Sequence, residues 1–228
     1  MNVYAIGDLH LPGGDDKPMD VFGPHWEGHF EKIRADWRAR VGAEDAVLLP
    51  GDISWAMQAQ DAMEDLRAIG ELPGKKVLLR GNHDYWWPGI TRLREMLPPG
   101  MYAVQNDALR LEDTVICGTR GWTLPGEGAA AEDEKIYRRE LQRMEMSLQR
   151  AKALGGRRLI VMCHYPPLGE GGAETPLSRM LEAYAPDDVV YGHLHGASLH
   201  GAVTGEIRGI RYHCVSCDGL GFRVYRLP

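Results

Sequence analysis

The sequence predicts an α/β (α+β) fold in which two sheets are covered by helices. Short apolar runs typical of buried strands alternate with segments whose apolar residues recur at helical spacing, which indicates a largely parallel sheet with helical crossovers. Residues 200–227 instead combine apolar runs with glycine turns, a pattern typical of antiparallel strands. The chain has 228 residues and no internal repeat or linker, so we expect a single domain spanning 1–228.

Five apolar runs predict buried strands, and polar side chains follow each of them. These runs are residues 3–6, 46–49, 76–79, 159–163 and 189–191. Because ligands of open α/β sheets bind at the carboxyl ends of the strands, we expect the polar residues to meet at one edge. Further strands are predicted within 101–118 and, in the tail, over 206–211 and 222–227.

The segments between the strands predict amphipathic helices and loops. Helices are predicted over 26–41, 57–69, 88–97 and about 133–154, and from the N-cap Thr175 to Tyr184. Glycine and proline mark loops over 11–24 and about 119–131. No large additional domain is predicted, so the loops 11–24, 85–89, 119–131 and 166–175 are expected to determine specificity.

Composition narrows the expected partners and location. The net charge of −6 and the lack of a Lys/Arg cluster argue against extended nucleic acids and anionic membranes. There is no secretory leader and no apolar run long enough to span a bilayer, and the four cysteines form no disulfide framework. We therefore expect a cytoplasmic protein, and we interpret the C-x-x-C of Cys214 and Cys217 as ordinary thiols.

The polar residues at the strand ends are suited to metal chemistry. They are Asp8, His10, Asp52, Asn82, His83, Asp84, His164, His193 and His195. All the candidate ligands offer nitrogen or oxygen, which suits ions such as Mn, Fe or Zn rather than a structural zinc site. There are more donors than one ion needs, so two ions about 3.5–4 Å apart, bridged by a carboxylate, would use them better.

Taken in order, these motifs resemble those of the calcineurin-like metallophosphoesterase superfamily. The family pattern D-x-H, GD, GNH[DE], a lone H and GHxH is matched by Asp8-Leu9-His10, Gly51-Asp52, Gly81-Asn82-His83-Asp84, His164 and Gly192-His193-Leu194-His195. The match spans residues 8–195. The resemblance implies a four-layer αββα sandwich, with two mixed sheets flanked by helices.

The resemblance also implies a role for each residue. It implies that one divalent ion is held by Asp8, His10, Asp52 and His195, and the other by Asp52, Asn82, His164 and His193. Asp52 would bridge them, and a hydroxide held between the ions would attack phosphorus in line. His83 would protonate the leaving oxygen or stabilise the transition state, while Asp84 would hold the His83 ring and raise its pKa.

The substrate is less well defined by the sequence. Trp86 and Arg120 are candidate substrate contacts, although packing of the loop and helix start would also explain Trp86. Gly51-Asp52-Ile53-Ser54-Trp55 lacks the GDxxDRG motif of the protein Ser/Thr phosphatases, which argues against a phosphoprotein. We therefore predict a small phosphodiester or nucleotide-like phosphoester as substrate. The alternatives are a phosphomonoesterase acting on a small metabolite and a non-catalytic scaffold; the sequence leaves the oligomeric state open.

Overall fold

The computed structural model describes residues 1–14, 19–126 and 128–228, and its core is a pair of stacked β-sheets. The strands of the first sheet are β1 (Val3–Ala5), β2 (Ala46–Pro50), β3 (Lys75–Leu79), β4 (Met101–Ala103) and β11 (Tyr225–Arg226). They lie in the order β11-β1-β2-β3-β4, and only the pairing of β11 with β1 is antiparallel.

The second sheet has six strands. They are β5 (Ala108–Leu111), β6 (Thr114–Thr119), β7 (Arg158–Cys163), β8 (Asp188–Tyr191), β9 (Gly205–Ile207) and β10 (Ile210–Cys214), in the order β5-β6-β7-β8-β10-β9. The central strands pair in parallel, and the edge strands β5 and β9 are antiparallel to their neighbours. Both sheets are therefore mixed, as predicted.

Helices cover the outer face of each sheet. They are α1 (His29–Arg40), α2 (Ala62–Gly70), α3 (Ile90–Met96), α4 (Ala131–Leu154) and α5 (Pro176–Tyr184). Helices α1, α2 and α3 pack on the first sheet, whereas α4 and α5 pack on the second. The resulting αββα sandwich confirms the predicted fold class. None of the described helices has the length and apolar character needed to cross a bilayer.

The alternation of side chains along the strands explains the continuous apolar runs. On β1, Val3 and Ala5 point into the core between the sheets, whereas Tyr4 points into the core beneath the helices. On β2, Leu48 points into the core between the sheets and Leu49 into the core beneath the helices. Since both faces of these strands are buried, a polar residue can appear only where the strand ends.

Several predicted boundaries differ from the structure. The first helix begins at His29 because Gly28 is left-handed (φ 59°), and the second begins at Ala62 rather than at residue 57. The predicted strand over 206–211 is a hairpin, because Arg208 and Gly209 have positive φ and separate β9 from β10. Of the predicted loops 11–24 and 119–131, residues 15–18 and 127 lie outside the described part of the chain.

A buried carboxylate ties three strands of the second sheet together. The Asp188 side chain is 0% exposed and accepts hydrogen bonds from Arg158 (2.5 Å), Arg211 (2.8 Å) and His213 (2.9 Å). Burial by itself raises the pKa of this carboxyl, but the bonds from His213, Arg211 and Arg158 outweigh burial and hold the pKa well below its usual range. The carboxylate therefore stabilises the fold in its ionised form.

We expect Asp188→Asn to lower the free energy of unfolding at pH 7 by about 3 kcal/mol, because it leaves buried donors without their charged acceptor. The folded pKa is depressed, so this stabilisation is fully present above the unfolded pKa of about 3.9 and is lost as the pH falls through the folded value. Urea denaturation from pH 7 to pH 3 should show the difference from wild type narrowing below about pH 4. The exposed Glu206→Gln serves as control, and a variant within about 0.5 kcal/mol of wild type at pH 7 would contradict the assignment.

Candidate metal centre

The polar residues at the strand ends meet where the two sheets come together. Gly7, after β1, donates its N–H to the carbonyl of Val215, which follows β10 in the other sheet (2.7 Å). The Asp8 N–H bonds to the Gly51 carbonyl (3.0 Å), and the Gly192 N–H bonds to the His164 carbonyl (3.1 Å). These backbone bonds place the ends of strands from both sheets at one edge, as expected for a shared site.

Two groups of ligand-type side chains form at this edge. The first group is Asp8, His10 and His195, and the second is Asp52, His164 and His193; within each group the ligand atoms lie within 4.8 Å of one another. Four of the six side chains are buried, and His193 and His195 are half-buried. The structure therefore holds two candidate metal sites made only of carboxylate and imidazole donors.

Asp52 lies between the two groups. Its Oδ2 atom is 3.7 Å from His10 Nε2 in the first group and 3.4 Å from His164 Nε2 in the second. The other oxygen, Oδ1, accepts a hydrogen bond from the backbone N–H of His83 (2.8 Å). One carboxylate thus faces both groups, which is the arrangement a bridging ligand requires.

Asn82 joins the second group. Its Oδ1 atom lies 2.7 Å from His164 Nε2 and 2.9 Å from His193 Nδ1. The structure therefore brings together all seven residues predicted as metal ligands. Which atom binds which ion stays a prediction.

Hydrogen bonds to two histidines leave their metal-facing nitrogens available. His164 donates Nδ1–H to the carbonyl of Pro50 (3.0 Å), so Nε2 is the ring nitrogen that faces Asp52 and Asn82. His195 Nδ1 lies 3.0 Å from Asp218 Oδ1, and its Nε2 faces Asp8 at 3.7 Å. Such outer partners fix the tautomer and raise the basicity of a metal ligand.

Burial and neighbouring charges shift the pKa values of the side chains in both groups. It raises the pKa of Asp8 to about 6 and lowers the pKa of His10 to about 3 and of His193 to about 4. For His164, burial lowers the pKa, but the charge of Asp52 outweighs burial and raises it to about 9. For Asp52, burial raises the pKa, but the positive charge of His164 outweighs burial and holds the pKa below its usual range.

The donor set fits divalent transition ions. Burial disfavours both the ionised form of Asp8 and the protonated form of His10. The interactions between these side chains therefore do not fully offset the cost of burying their charges. Neutral imidazoles beside ionised carboxylates are the form in which these residues bind a metal. A cation between them would offset the cost of burying the carboxylates.

Four candidate ligands adopt a strained backbone conformation. Asp8, His10, Asp52 and His193 have φ values of 57°, 45°, 51° and 72°, in the left-handed region that costs a non-glycine residue about 1–3 kcal/mol. The left-handed residue at each strand end turns the chain sharply and directs the next groups to the edge. The surrounding backbone hydrogen bonds maintain these conformations.

Two glycines of the motifs leave room for the carboxylates. A Cβ atom at Gly81 would collide with Oδ1 of Asp52, and one at Gly192 would collide with Oδ2 of Asp8. The N–H of His193 also donates to Asp8 Oδ1 (3.0 Å). The glycines preceding Asn82 and His193 therefore allow the backbone to approach the two acidic residues closely.

The predicted hydrogen bond between Asp84 and the His83 ring is wrong. Asp84 is 0% exposed, and its carboxylate accepts from the N–H groups of Gly81, Asp52, Ile53 and Ser54 and from the Trp86 indole. Among the described residues, none of its bonds reaches the His83 ring. Asp84 holds the turn that carries Asp52, and its five donors leave no free position for an imidazole.

The predicted rise in the pKa of His83 is also wrong. Burial lowers the pKa of this histidine, and the opposing charge of Asp52 only partly compensates. The His83 ring lies 4.6 Å from the Trp55 ring, and Trp55 also stacks on His10 (4.7 Å). His83 is therefore held beside the metal donors by an aromatic neighbour rather than by a carboxylate.

The two predicted substrate contacts differ in accessibility. Trp86 is 2% exposed, packs against Trp87 and donates its indole N–H to Asp84 (3.0 Å), which agrees with the alternative interpretation as loop packing. Its contact with substrate stays a prediction. Arg120 is half-buried with its guanidinium 4.9 Å from the Trp122 ring. Its proposed contact with substrate stays a prediction.

Sequence reasoning missed residues that contact the predicted ligands from distant segments. Asp218 supports His195, Trp55 stacks on His10, and the Tyr165 ring lies 4.2 Å from the His193 ring. The position of Tyr165 directly after His164 was the one available signal. Asp218 and Trp55 belong to no motif, and only the folded chain brings them to the site.

The two cysteines of the C-x-x-C are free thiols. Burial raises the pKa of Cys214 to about 11 and holds the pKa of Cys217 well above its usual value. Cys217 donates its S–H to the Asp8 carbonyl (3.0 Å). These features agree with the interpretation as ordinary thiols, because a reactive cysteine needs an accessible thiolate.

Comparisons with known protein sequences identify related chains. The model of the calcineurin-like phosphoesterase family matches residues 1–197. The gene 66 protein of Mycobacterium phage D29 is 25% identical over 209 residues, which cover 89% of this chain and 83% of that protein. The gene 66 protein of Mycobacterium phage L5 is 32% identical over 85 residues, 36% of this chain and 40% of that protein.

Solved structures share the fold. Phosphopantetheinyl hydrolase of Mycobacterium tuberculosis has a TM-score of 0.60 at 13% identity, covering 99% of this chain and 95% of that one. A protein of unknown function from Aquifex aeolicus has a TM-score of 0.52 at 15% identity, with coverages of 99% and 95%. The TT1561 protein of Thermus thermophilus has a TM-score of 0.55 at 15% identity, with coverages of 85% and 81%. At these identities the likeness establishes the fold alone.

We expect Asp218→Asn to weaken binding of one divalent ion by about 10–100-fold, because the amide no longer fixes the His195 ring through a charged acceptor. Equilibrium titration with Mn²⁺ should show one of two binding steps weakened and the other retained. The exposed Asp61→Asn is the matched control. Wild-type affinity at both steps in Asp218→Asn would contradict this role.

Proposed function

Because the chain belongs to the calcineurin-like phosphoesterase family, we propose that it is a metal-dependent hydrolase of a small phosphodiester or nucleotide-like phosphoester. The observation that carries the proposal is the pair of donor groups facing one shared carboxylate, Asp52. Such a pair suits two ions that act together on one phosphoryl group.

The proposed ligands divide as the two groups do. Asp8, His10 and His195 would hold one ion; Asn82, His164 and His193 would hold the other; Asp52 would contribute to both. Mn, Fe or Zn matches these nitrogen and oxygen donors. When bound, the ions would make a water molecule more acidic and neutralise charge on the phosphoryl oxygens.

His83 is proposed to act on the leaving oxygen. Because burial lowers its pKa, the neutral ring predominates near neutral pH, and its N–H can donate a hydrogen bond to the oxygen on which charge develops. The negative charge of a bound phosphoester would raise this pKa and favour proton transfer as the bond to phosphorus breaks. The Trp55 ring keeps the imidazole beside the metal donors.

An apolar wall beside the donors supports a substrate with a flat or apolar group next to the phosphate. A cavity of about 110 Å³ is lined by His83, by four of the proposed ligands and by the apolar side chains of Met19, Phe22, Trp26 and Trp55. Phe22 is 55% exposed. An aromatic base or ring can stack there, which favours a diester or nucleotide-like molecule over a small sugar phosphate.

We expect His83→Ala to reduce hydrolysis of bis-p-nitrophenyl phosphate by about 10²–10⁴-fold while both metal ions remain bound, because the ring acts on the leaving group and is not a ligand. Metal content and steady-state kinetics of the purified variant test this. The exposed His200→Ala is the control. If metal-loaded wild type hydrolyses neither bis-p-nitrophenyl phosphate nor p-nitrophenyl phosphate, the enzyme proposal fails, and a clear monoester preference would overturn the diester assignment.

Asp52→Asn is expected to weaken both metal sites, because its carboxylate faces both donor groups. Metal analysis after gel filtration should find fewer than two equivalents, with the loss spread over both steps of a titration. Asp61→Asn again serves as the exposed control. Two full equivalents in Asp52→Asn would contradict the shared role.

A further inference from the structure

A second polar cavity lies beside the candidate metal centre. Its volume is about 100 Å³, and three arginines line it: Arg80 after β3, Arg120 after β6 and Arg143 on α4. We call it the arginine cavity. In a chain with a net charge of −6, three guanidinium groups around one small cavity are unexpected.

One carboxylate lines the arginine cavity, and its oxygens are already engaged. Glu140 Oε2 accepts from the Thr119 hydroxyl (2.6 Å) and the Gly121 N–H (3.0 Å). Glu140 Oε1 accepts from Arg143 (2.5 Å). Among the described residues, the direct ion pair of Glu140 is therefore with Arg143.

Arg80 and Arg120 form no ion pair within the described part of the chain. Arg80 Nε donates to the carbonyl of Asp84 (3.3 Å), and the Arg120 guanidinium lies over the Trp122 ring. Both side chains are half-buried. An anion in the cavity would offset the positive charge of these two guanidinium groups.

The arginine cavity adjoins the candidate metal centre through shared backbone and rings. The Arg120 carbonyl accepts from the N–H groups of His164 (2.9 Å) and Tyr165 (3.0 Å). The Tyr165 ring contacts those of Trp122 (5.3 Å) and His193 (4.2 Å). On the other side, Arg80 is two residues before Asn82. The arginine cavity and the candidate metal centre therefore lie on neighbouring backbone segments.

We propose that the arginine cavity binds a second anionic group of the substrate, a phosphate or a similar tetrahedral oxyanion. Guanidinium groups bind such oxyanions through paired N–H donors, and a volume equal to about three water molecules accommodates one. The proposal rests on the proposed function, because the first phosphoryl group is the one hydrolysed at the metal centre. The substrate is then a molecule with two phosphates, such as a nucleoside bisphosphate or its ester.

The kinetic test compares thymidine 5′-(p-nitrophenyl phosphate) with the same compound carrying a 3′-phosphate, since both release p-nitrophenolate. Wild type should prefer the 3′-phosphorylated compound in kcat/KM. Arg80→Gln and Arg120→Gln should each reduce this preference by about 10–100-fold, mainly through KM, because a charge-assisted hydrogen bond is lost. The exposed Arg139→Gln, on the solvent face of α4, should keep it. An unchanged preference in both cavity variants would overturn the proposal.

A measurement without turnover separates the two proposals. Crystals of metal-loaded wild type soaked in selenate should show an anomalous selenium peak between Arg80 and Arg120, and crystals of the double variant should not. No peak in wild type, or the same peak in the double variant, would overturn the cavity proposal. If neither thymidine compound is hydrolysed, the proposed function fails, and the selenate result still decides whether the cavity binds an oxyanion.

Discussion

The sharing of Asp52 between two donor groups is the constraint on which the rest of the site depends. The carboxylate must lie within reach of His10 on one side and His164 on the other, although these residues follow strands of different sheets. Its position is set by the left-handed turn after β2, by the Asp84 carboxylate that accepts the N–H of Asp52, and by the missing side chain of Gly81. Each of these features is locally unfavourable in free energy, and the packing of the surrounding sandwich holds it in place.

The same constraint accounts for the electrostatics of the edge. Strands buried on both faces carry few charged residues along their length, and the candidate metal ligands lie where strands end. There, burial disfavours an ionised Asp8 and a protonated His10, while Asp52 and His164 stabilise each other's charged forms. The arginine cavity extends this pattern, since it places positive charge next to the site that we propose acts on a phosphoryl group.

The sequence predicted the strands, the layer order and the seven residues that meet at the edge, because continuous apolar runs ending in polar motifs constrain position strongly. It did not predict what those residues contact. The contacts of Asp84 were misassigned because three of the four backbone amides that bond to its carboxylate come from the turn at 52–54, about 30 residues earlier. Asp218 was missed because the tail returns to the site only when β10 pairs with β8 and β11 with β1. Such long-range contacts leave no local pattern in the chain.

We expect two metal ions, one on each side of the Asp52 carboxylate. The most direct test is an anomalous diffraction map of the metal-loaded protein, recorded at the absorption edge of the bound metal. Two peaks about 3.5–4 Å apart, with Asp52 between them and the two histidine groups on either side, are the expected result. A single peak, or two peaks that do not share Asp52, would contradict the account.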